Sequence, residues 1–406
     1  MSTDPIVIVG AGHAARRAAE ALRARDADAR IEMIGAEREL PYDRPALSKD
    51  ALLHDDGAQR AFVRDAAWYG AQRIDLRLGT RVDAIERDAQ RVRLDDGATL
   101  PYRRLVLATG SRVRTFGGPV DAGVALHYVR TVADARALRA ALAPGKHVAV
   151  LGGGFIGLEV AAAARQLGCS VTVIDPAAGL LQRALPDVVG AFAQRMHDGR
   201  GVAFRLATLP RAIRCGASGG AVVETDRGDV PADVVVVGIG VVPNVELAEA
   251  AGLDVDNGVR VDAGCRTNHP AIFAAGEVTM HFNPLLGRHV RIESWQVAEN
   301  QPAVAAANAL GADETYAELP WLWSDQYDCS LQMLGLFGGE KALVVRGDPA
   351  SGPFTVFGLG EDGGLVAAAA VNAGRDIGAC RRMIAAGAVP DPERLADPSV
   401  NLKTFL

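Results

Sequence analysis

VAVLGGGFIGLEVA, residues 148–161, is the stretch from which the rest of the chain can be read. Val148 to Leu151 is a short apolar run with the look of a buried parallel strand. Gly152, Gly154 and Gly157 keep the GxGxxG spacing, and Ile156 to Leu167 reads as a helix. In such a turn the first glycine permits a tight bend. The second lets the backbone approach a pyrophosphate, and the third lets helix and strand pack closely. The phosphates then sit at the positive end of the helix. Ser170 to Ile174 is the next strand and leads into Asp175. That is about 20 residues beyond the turn, where an acid grips a ribose 2′-hydroxyl. Pro176, Ala177 and Ala178 follow, with no arginine for a 2′-phosphate. The turn therefore favours NADH over NADPH.

The chain has already used the same device at residues 6–19, IVIVGAGHAARRAA. Gly10 and Gly12 keep the spacing, Ala15 replaces the third glycine, and Ala14 to Arg25 reads as an alanine-rich helix. The next strand is RIEMIG, Arg30 to Gly35. Ala36 beyond it is no acid, so the ribose role passes to Glu37. Two such turns imply two nucleotides and hence a relay, with a hydride donor in one and a bound redox group in the other. FAD suits the second place, because a flavin takes two electrons together and releases them singly.

Outward from the turns, LVLATG (105–110), DVVVVG (233–238) and AIFAAG (271–276) read as further buried strands ending in small-residue turns. PYDRPALSKD (41–50) is a proline-rich loop entering a helix. From about Trp321 the texture changes to short alternating segments and a late helix near Ile377 to Ala386, as in a small domain with an antiparallel sheet. The predicted fold class is α/β, with two Rossmann-like dinucleotide-binding domains and an α+β C-terminal domain.

Bulk numbers narrow the function. The 406 residues suit two or three domains, and 49% apolar with 23% charged residues is ordinary for globular cores. A net charge of -6 argues against a general nucleic-acid binder. The opening MSTDPIVIVG has no secretory pattern, and no apolar run reaches membrane-span length, so a cytoplasmic location is expected. Cys169, Cys215, Cys265, Cys329 and Cys380 form no CxxC or similar cluster. They read as buried, inert thiols, with no redox disulfide, zinc or iron–sulfur ligand set among them.

In combination the motifs are specific: IVGAGHAA, PYDRPALSKD, ATGSRVR, VRTVADARAL, LGGGFIGLEVA, VVGIGVVPN, IFAAGEVT, RIESWQVAENQ and WSDQYDCSLQMLG. Over nearly its whole length the chain resembles the FAD-dependent, NADH-linked ferredoxin reductases. These serve ring-hydroxylating dioxygenases and some bacterial cytochromes P450. The resemblance implies a glutathione reductase-like fold: a discontinuous FAD domain (1–110 and 241–318), an NAD domain (111–240) and a C-terminal interface domain (319–406). It implies FAD contacts from Gly10, Gly12, Ala14, Arg44 and Lys49. Val82, Ala108, Thr109, Gly110, Arg130, Glu277 and Trp295 join them, with Glu37 as the ribose acid. For NAD it implies Gly152, Gly154, Ile156, Gly157, Glu159, Asp175, Arg183 and Gly240. Glu159 is expected to pair with Lys49 across the domain boundary, as the pair closest to the hydride step. The family usually has Asp where this chain has Glu277, so an extra methylene must be absorbed there.

The implied activity is transfer of electrons from NADH through FAD, one at a time, to a [2Fe–2S] ferredoxin. The ferredoxin in turn feeds a terminal oxygenase in aromatic compound degradation. Rival readings share the fold. A disulfide reductase needs a cysteine pair beside the flavin, and the sequence has none to offer. Rubredoxin, a small organic radical or oxygen would serve as another acceptor, and a binding flavoprotein like apoptosis-inducing factor would use the flavin to control an interface. Among other conspicuous residues, His13 reads as a solvent or packing residue, Arg16 and Arg17 as the wet side of a helix, and His281 and His289 as surface. Trp321 and Trp323 read as core packing at the domain change, with Trp323 at the flavin edge as the sharper alternative. Arg103/Arg104, Arg288/Arg291 and Arg381/Arg382 are docking candidates that read first as solvated charge.

Overall fold

The computed structural model describes residues 4–217 and 219–406. The chain divides into two compact units. One comprises residues 1–45, 60–112 and 241–319; the other comprises 46–59, 113–240 and 320–406.

The first unit is built on a parallel five-stranded sheet. Its order is Ile272–Ala274, Arg104–Leu107, Ile6–Val9, Ile31–Gly35 and Ile74–Leu78. Successive residues of one strand point to opposite faces, and here both faces are covered. Ile6, Ile8, Met33 and Val106 meet Ala15, Ala18 and Leu22 of the helix His13–Arg25 and Ala305 and Ala306 of the helix Trp295–Ala309. Val7, Val9, Leu105 and Leu107 face the other way, onto Val82, Ile85 and Val92 of a small antiparallel sheet. Burying each large apolar side chain contributes about 1.5–3 kcal/mol, which is why these strands read as unbroken apolar runs.

The second unit repeats the plan. Its parallel sheet runs Val202–Arg205, Ser170–Ile174, His147–Leu151, Val234–Val237 and Leu126–His127. The helix Phe155–Gln166 follows the central strand. The same unit carries a five-stranded antiparallel sheet, ordered Trp321–Gln326, Cys329–Gly335, Leu365–Val371, Phe354–Leu359 and Ala342–Gly347. The helix Gly374–Ala385 follows its last strand. Residues 46–59, inside the stretch expected to form the first domain, belong to this second unit. The reason is packing: Leu52 of the short helix Asp50–Leu53 is fully buried in one core with Leu138 and Val160.

Candidate functional site: two nucleotide cradles and a buried ion pair

The two glycine turns have the same construction. Gly10 has φ +119°, and a Cβ on it would lie 2.2 Å from the Ala108 carbonyl oxygen. Gly152 has φ +108°, and its Cβ would lie 2.4 Å from the Gly238 carbonyl oxygen. Each first glycine is thus wedged against the end of the neighbouring strand. The second glycines are the opposite. A Cβ at Gly154 would meet nothing within 4 Å, and one at Gly12 only the Arg44 guanidinium at 3.8 Å. Gly12 and Gly154 are also the N-caps of their helices, and neither end is capped by a side chain. Open space before unsatisfied helix N–H groups fits a pyrophosphate in both units.

In the first unit the cradle gathers most of the residues expected to hold FAD. Arg44 Nη2 lies 2.6 Å from Glu37 Oε1, and the Tyr42 hydroxyl donates to the other Glu37 oxygen. Burial would lower the Arg44 pKa, but Tyr42, Glu37 and Glu277 together raise it, so its charge is firmly held. Glu277 is thus one of the acids whose charge favours the Arg44 cation. Gly276 is positioned by its N–H donating to Gln301 Oε1 at 2.7 Å, and its missing Cβ makes room for Ala14. The Ala108–Thr109–Gly110 turn is clamped by Asn244, which accepts from Thr109 Oγ1 at its carbonyl and donates Nδ2 to the Thr109 carbonyl, each at 2.8 Å. Val82 lies buried in the small antiparallel sheet, and Trp295 begins its helix beside His13, with ring centroids 5.3 Å apart.

In the second unit the cradle gathers the residues expected to hold NAD. Asp175 accepts from the Gly153 N–H at 2.6 Å and the Ala177 N–H at 2.7 Å. A carboxylate has about four lone-pair sites, so capacity remains for a ribose hydroxyl. Gly157 packs on the turn: a Cβ there would lie 2.0 Å from the Gly152 carbonyl oxygen. Ile156 is 42% exposed at the mouth of the turn. Arg183 is exposed and approaches Gly240, whose Cβ would lie 3.3 Å from the Arg183 Nη1.

The pair Lys49–Glu159 forms, with Nζ 2.8 Å from Oε1. It forms inside the second unit and not across a boundary, because residues 46–59 are anchored there. Arg130 belongs to the second unit too, beside the capping box of the helix Val132–Ala141. Glu159 is 4% exposed on a helix face that is otherwise apolar. A charge in such a place needs hydrogen-bond partners. It has two that the motifs left unassigned: Ser48 Oγ donates to Oε2 at 2.5 Å, and Ser324 Oγ donates to Oε1 at 2.6 Å. The signal in the sequence was the lone acid in FIGLEVAAAA; nothing local pointed to Ser324.

Of the two readings left open for His13 the structure takes packing, and some residues expected at the surface are inside. His13 is 7% exposed and lies between Asp43 and Glu299. Arg16 is buried, bonded to both oxygens of Glu20 at 2.9 Å, while Arg17 is half-buried on Glu20 and Glu299. Glu20 of the same helix and Glu299 of the helix Trp295–Ala309 meet these arginines, so the charged face turns inward. His281 is 2% exposed, and burial, with a lesser push from His289, lowers its pKa to about 4. Cys215 is exposed, whereas the other four cysteines are buried; all five are free. Trp321 and Trp323 stack on each other, centroids 5.0 Å apart, on one face of their strand. Among the described residues no cluster could hold a metal, and no helix is long and apolar enough to cross a membrane.

Residues 4–302 match the family of pyridine nucleotide-disulphide oxidoreductases, and residues 321–406 match the reductase C-terminal family. The chain is 84% identical, over the full length of both chains, to the ferredoxin–NAD(+) reductase component of the anthranilate 1,2-dioxygenase system of Burkholderia cepacia. It is 41% identical to rhodocoxin reductase of Rhodococcus erythropolis, covering 98% of this chain and 93% of that one. Among solved structures it is similar to the reductase in the covalent putidaredoxin reductase–putidaredoxin complex. There the TM-score is 0.94 at 38% identity, covering 100% of this chain and 98% of the other.

Proposed function

This chain belongs to the pyridine nucleotide-disulphide oxidoreductase family, among the ferredoxin–NAD(+) reductase components of dioxygenase systems, and on that premise we propose its working parts. It is an NADH-dependent reductase that passes electrons to a [2Fe–2S] ferredoxin. The ferredoxin supplies a terminal dioxygenase acting on anthranilate or a close aminobenzoate. The observation that carries this reading is the pair of like-built cradles in a chain whose cysteines are all free. Two nucleotides are held, and no disulfide stands ready to receive the electrons.

FAD, when bound, accepts the two electrons of a hydride together and releases them one at a time. Residues 4–45, 60–110 and 241–318 are proposed to hold it, with Arg44 on the pyrophosphate, Glu37 on the ribose and Glu277 steadying Arg44. The helix Trp295–Ala309 offers its N-terminal dipole to an anionic edge of the ring. Residues 111–240 are proposed to hold NADH, with Asp175 on the ribose and the Gly152–Gly157 turn on the pyrophosphate. The Lys49–Glu159 pair then orients the nicotinamide for hydride delivery. Residues 319–406 form the domain that serves the protein partner, and the reductase works in the cytoplasm.

The test is NADH-driven cytochrome c reduction by the purified holoprotein, with and without a [2Fe–2S] ferredoxin. Strong dependence on the ferredoxin is expected. Rapid flavin bleaching with no ferredoxin dependence would move the acceptor to rubredoxin, a small radical or oxygen.

A further inference from the structure

Ser324 is not an isolated partner of Glu159. The strand Trp321–Gln326 alternates its side chains, so Ser324 and Gln326 share the face opposite Trp321 and Trp323. Ser324 is fully buried and Gln326 is 4% exposed. Gln326 Nε2 donates to Ser324 Oγ at 3.0 Å, and His197 Nε2 meets Gln326 Oε1 at 2.8 Å. His197 is fully buried on the helix Asp187–Asp198, and the Tyr327 hydroxyl stands 3.3 Å from its Nδ1.

The chemistry of these groups gives the chain one direction. An amide carbonyl accepts only, so Nε2 of His197 carries the proton. Burial, first among the causes, holds the His197 imidazole below its ordinary pKa, so the ring is neutral and its Nδ1 is left to accept from Tyr327. Gln326 accepts from His197 through its oxygen and donates to Ser324 through its nitrogen. Ser324 has then received a donor at its oxygen and delivers its own hydrogen to Glu159. Every bond points toward the carboxylate, and hydrogen bonds in such a series polarise one another. Lys49 and Ser48 complete the shell, so Glu159 has donors on both oxygens.

We infer that Ser324, backed by Gln326 and His197, is a positioning residue for hydride transfer: it fixes the Glu159 carboxylate, and through it the Lys49 ammonium. This rests on the proposed role of the Lys49–Glu159 pair. The antiparallel sheet of the second unit thereby takes part in the chemistry of the nicotinamide, and not only in meeting a partner.

The test uses the FAD-loaded protein and five variants: Ser324→Ala, Ser324→Cys, Gln326→Met, the double variant of Ser324→Ala with Gln326→Met, and Glu159→Leu. Two quantities are measured: the limiting rate of flavin reduction by NADH under anaerobic stopped flow, and the NAD⁺ dissociation constant by calorimetry. Ser324→Ala is expected to lower the limiting rate about tenfold, with NAD⁺ affinity and FAD content unchanged within about twofold. Gln326→Met lowers it about threefold, and the double variant is no slower than Ser324→Ala, because Gln326 acts only through Ser324. Ser324→Cys, which keeps a donor, recovers part of the rate. Urea midpoints of the same variants read the coupling of Ser324 and Gln326 without reference to turnover, and the same non-additivity is expected there. Rate losses that multiply and midpoint losses that add in the double variant overturn the inference. An unchanged limiting rate in Glu159→Leu overturns instead the role given to the ion pair, and the rate argument with it.

Discussion

The His13 imidazole Nε2 lies 2.6 Å from Glu299 Oε2, joining the start of the helix His13–Arg25 to the helix Trp295–Ala309. The other ring nitrogen meets Asp43, one residue before Arg44, whose guanidinium stands before Gly12. Arg16 Nη2 adds a bond to the same Glu299 oxygen at 3.3 Å. One side chain thus ties the glycine turn, the arginine loop and the tryptophan helix of the first unit together.

Replacing His13 by Ala leaves Asp43 and Glu299 facing each other. Breaking a buried pair from one side costs about 3–5 kcal/mol, and partial exposure of the two acids reduces this to about 2 kcal/mol. The expected result is a lower urea midpoint and faster loss of FAD on dilution, read by the rise in flavin fluorescence. An unchanged rate of FAD loss would separate the tie from the cradle.

Acid should weaken the first unit in two stages. His281 is held neutral by burial, at about 4 against 6.5 for a free side chain, and neither ring nitrogen has a hydrogen-bond partner among the described residues. Its folded pKa is depressed, so its contribution is present above 6.5 and is lost as the pH falls toward 4; integrated over that window it is about 3 kcal/mol. Urea midpoints between pH 7 and pH 4 should fall in the natural protein and fall less in His281→Leu.

The second stage lies lower. Burial acts to raise the pKa of Asp43, but His13, Arg16 and Trp295 bring it below its ordinary value; Arg17, Arg16 and Arg64 do the same for Glu20 against its burial. Folded pKa values below the unfolded ones contribute stability above about pH 4–5 that is lost as the pH falls through the folded values. His13→Ala should therefore flatten the part of the acid limb that lies below pH 4.

The glycines of the NAD turn should separate stability from binding. Gly154→Ala places a methyl in open space, so the melting temperature should stay within about 2 °C while NADH affinity drops at least tenfold. Gly152→Ala forces a left-handed backbone and a clash with the Gly238 carbonyl, and should destabilise the protein by about 3 kcal/mol. Calorimetric melting and NAD⁺ titration of both variants make the comparison.

Asp175→Ala should raise the NADH dissociation constant about tenfold, the scale of one charge-assisted hydrogen bond, and leave FAD content unchanged. Loss of FAD in this variant would mean that the two cradles are not independent.

Much of this was legible along the chain. The strands preceding both turns are apolar without interruption because parallel strands covered on both faces have no wet side. The turn glycines are required by the backbone itself, so their spacing announces them. Lys49 and Glu159 could be paired from motif context. Ser324, Gln326 and His197 could not, since a serine in a strand and a histidine in a helix look the same whether they face water or a carboxylate. Arg16 and His281 misled for the same reason.

The sequence by itself determined the two glycine turns with their strands and the lack of a closely spaced cysteine pair, because glycine geometry, apolar runs and cysteine spacing act over a few residues. Only the tertiary structure decided which charges are buried together. Glu159 meets Ser324 from 165 positions away and His13 meets Glu299 from 286. A buried charge takes whatever donor the fold brings within about 3 Å, and that neighbour is set by how sheets and helices pack.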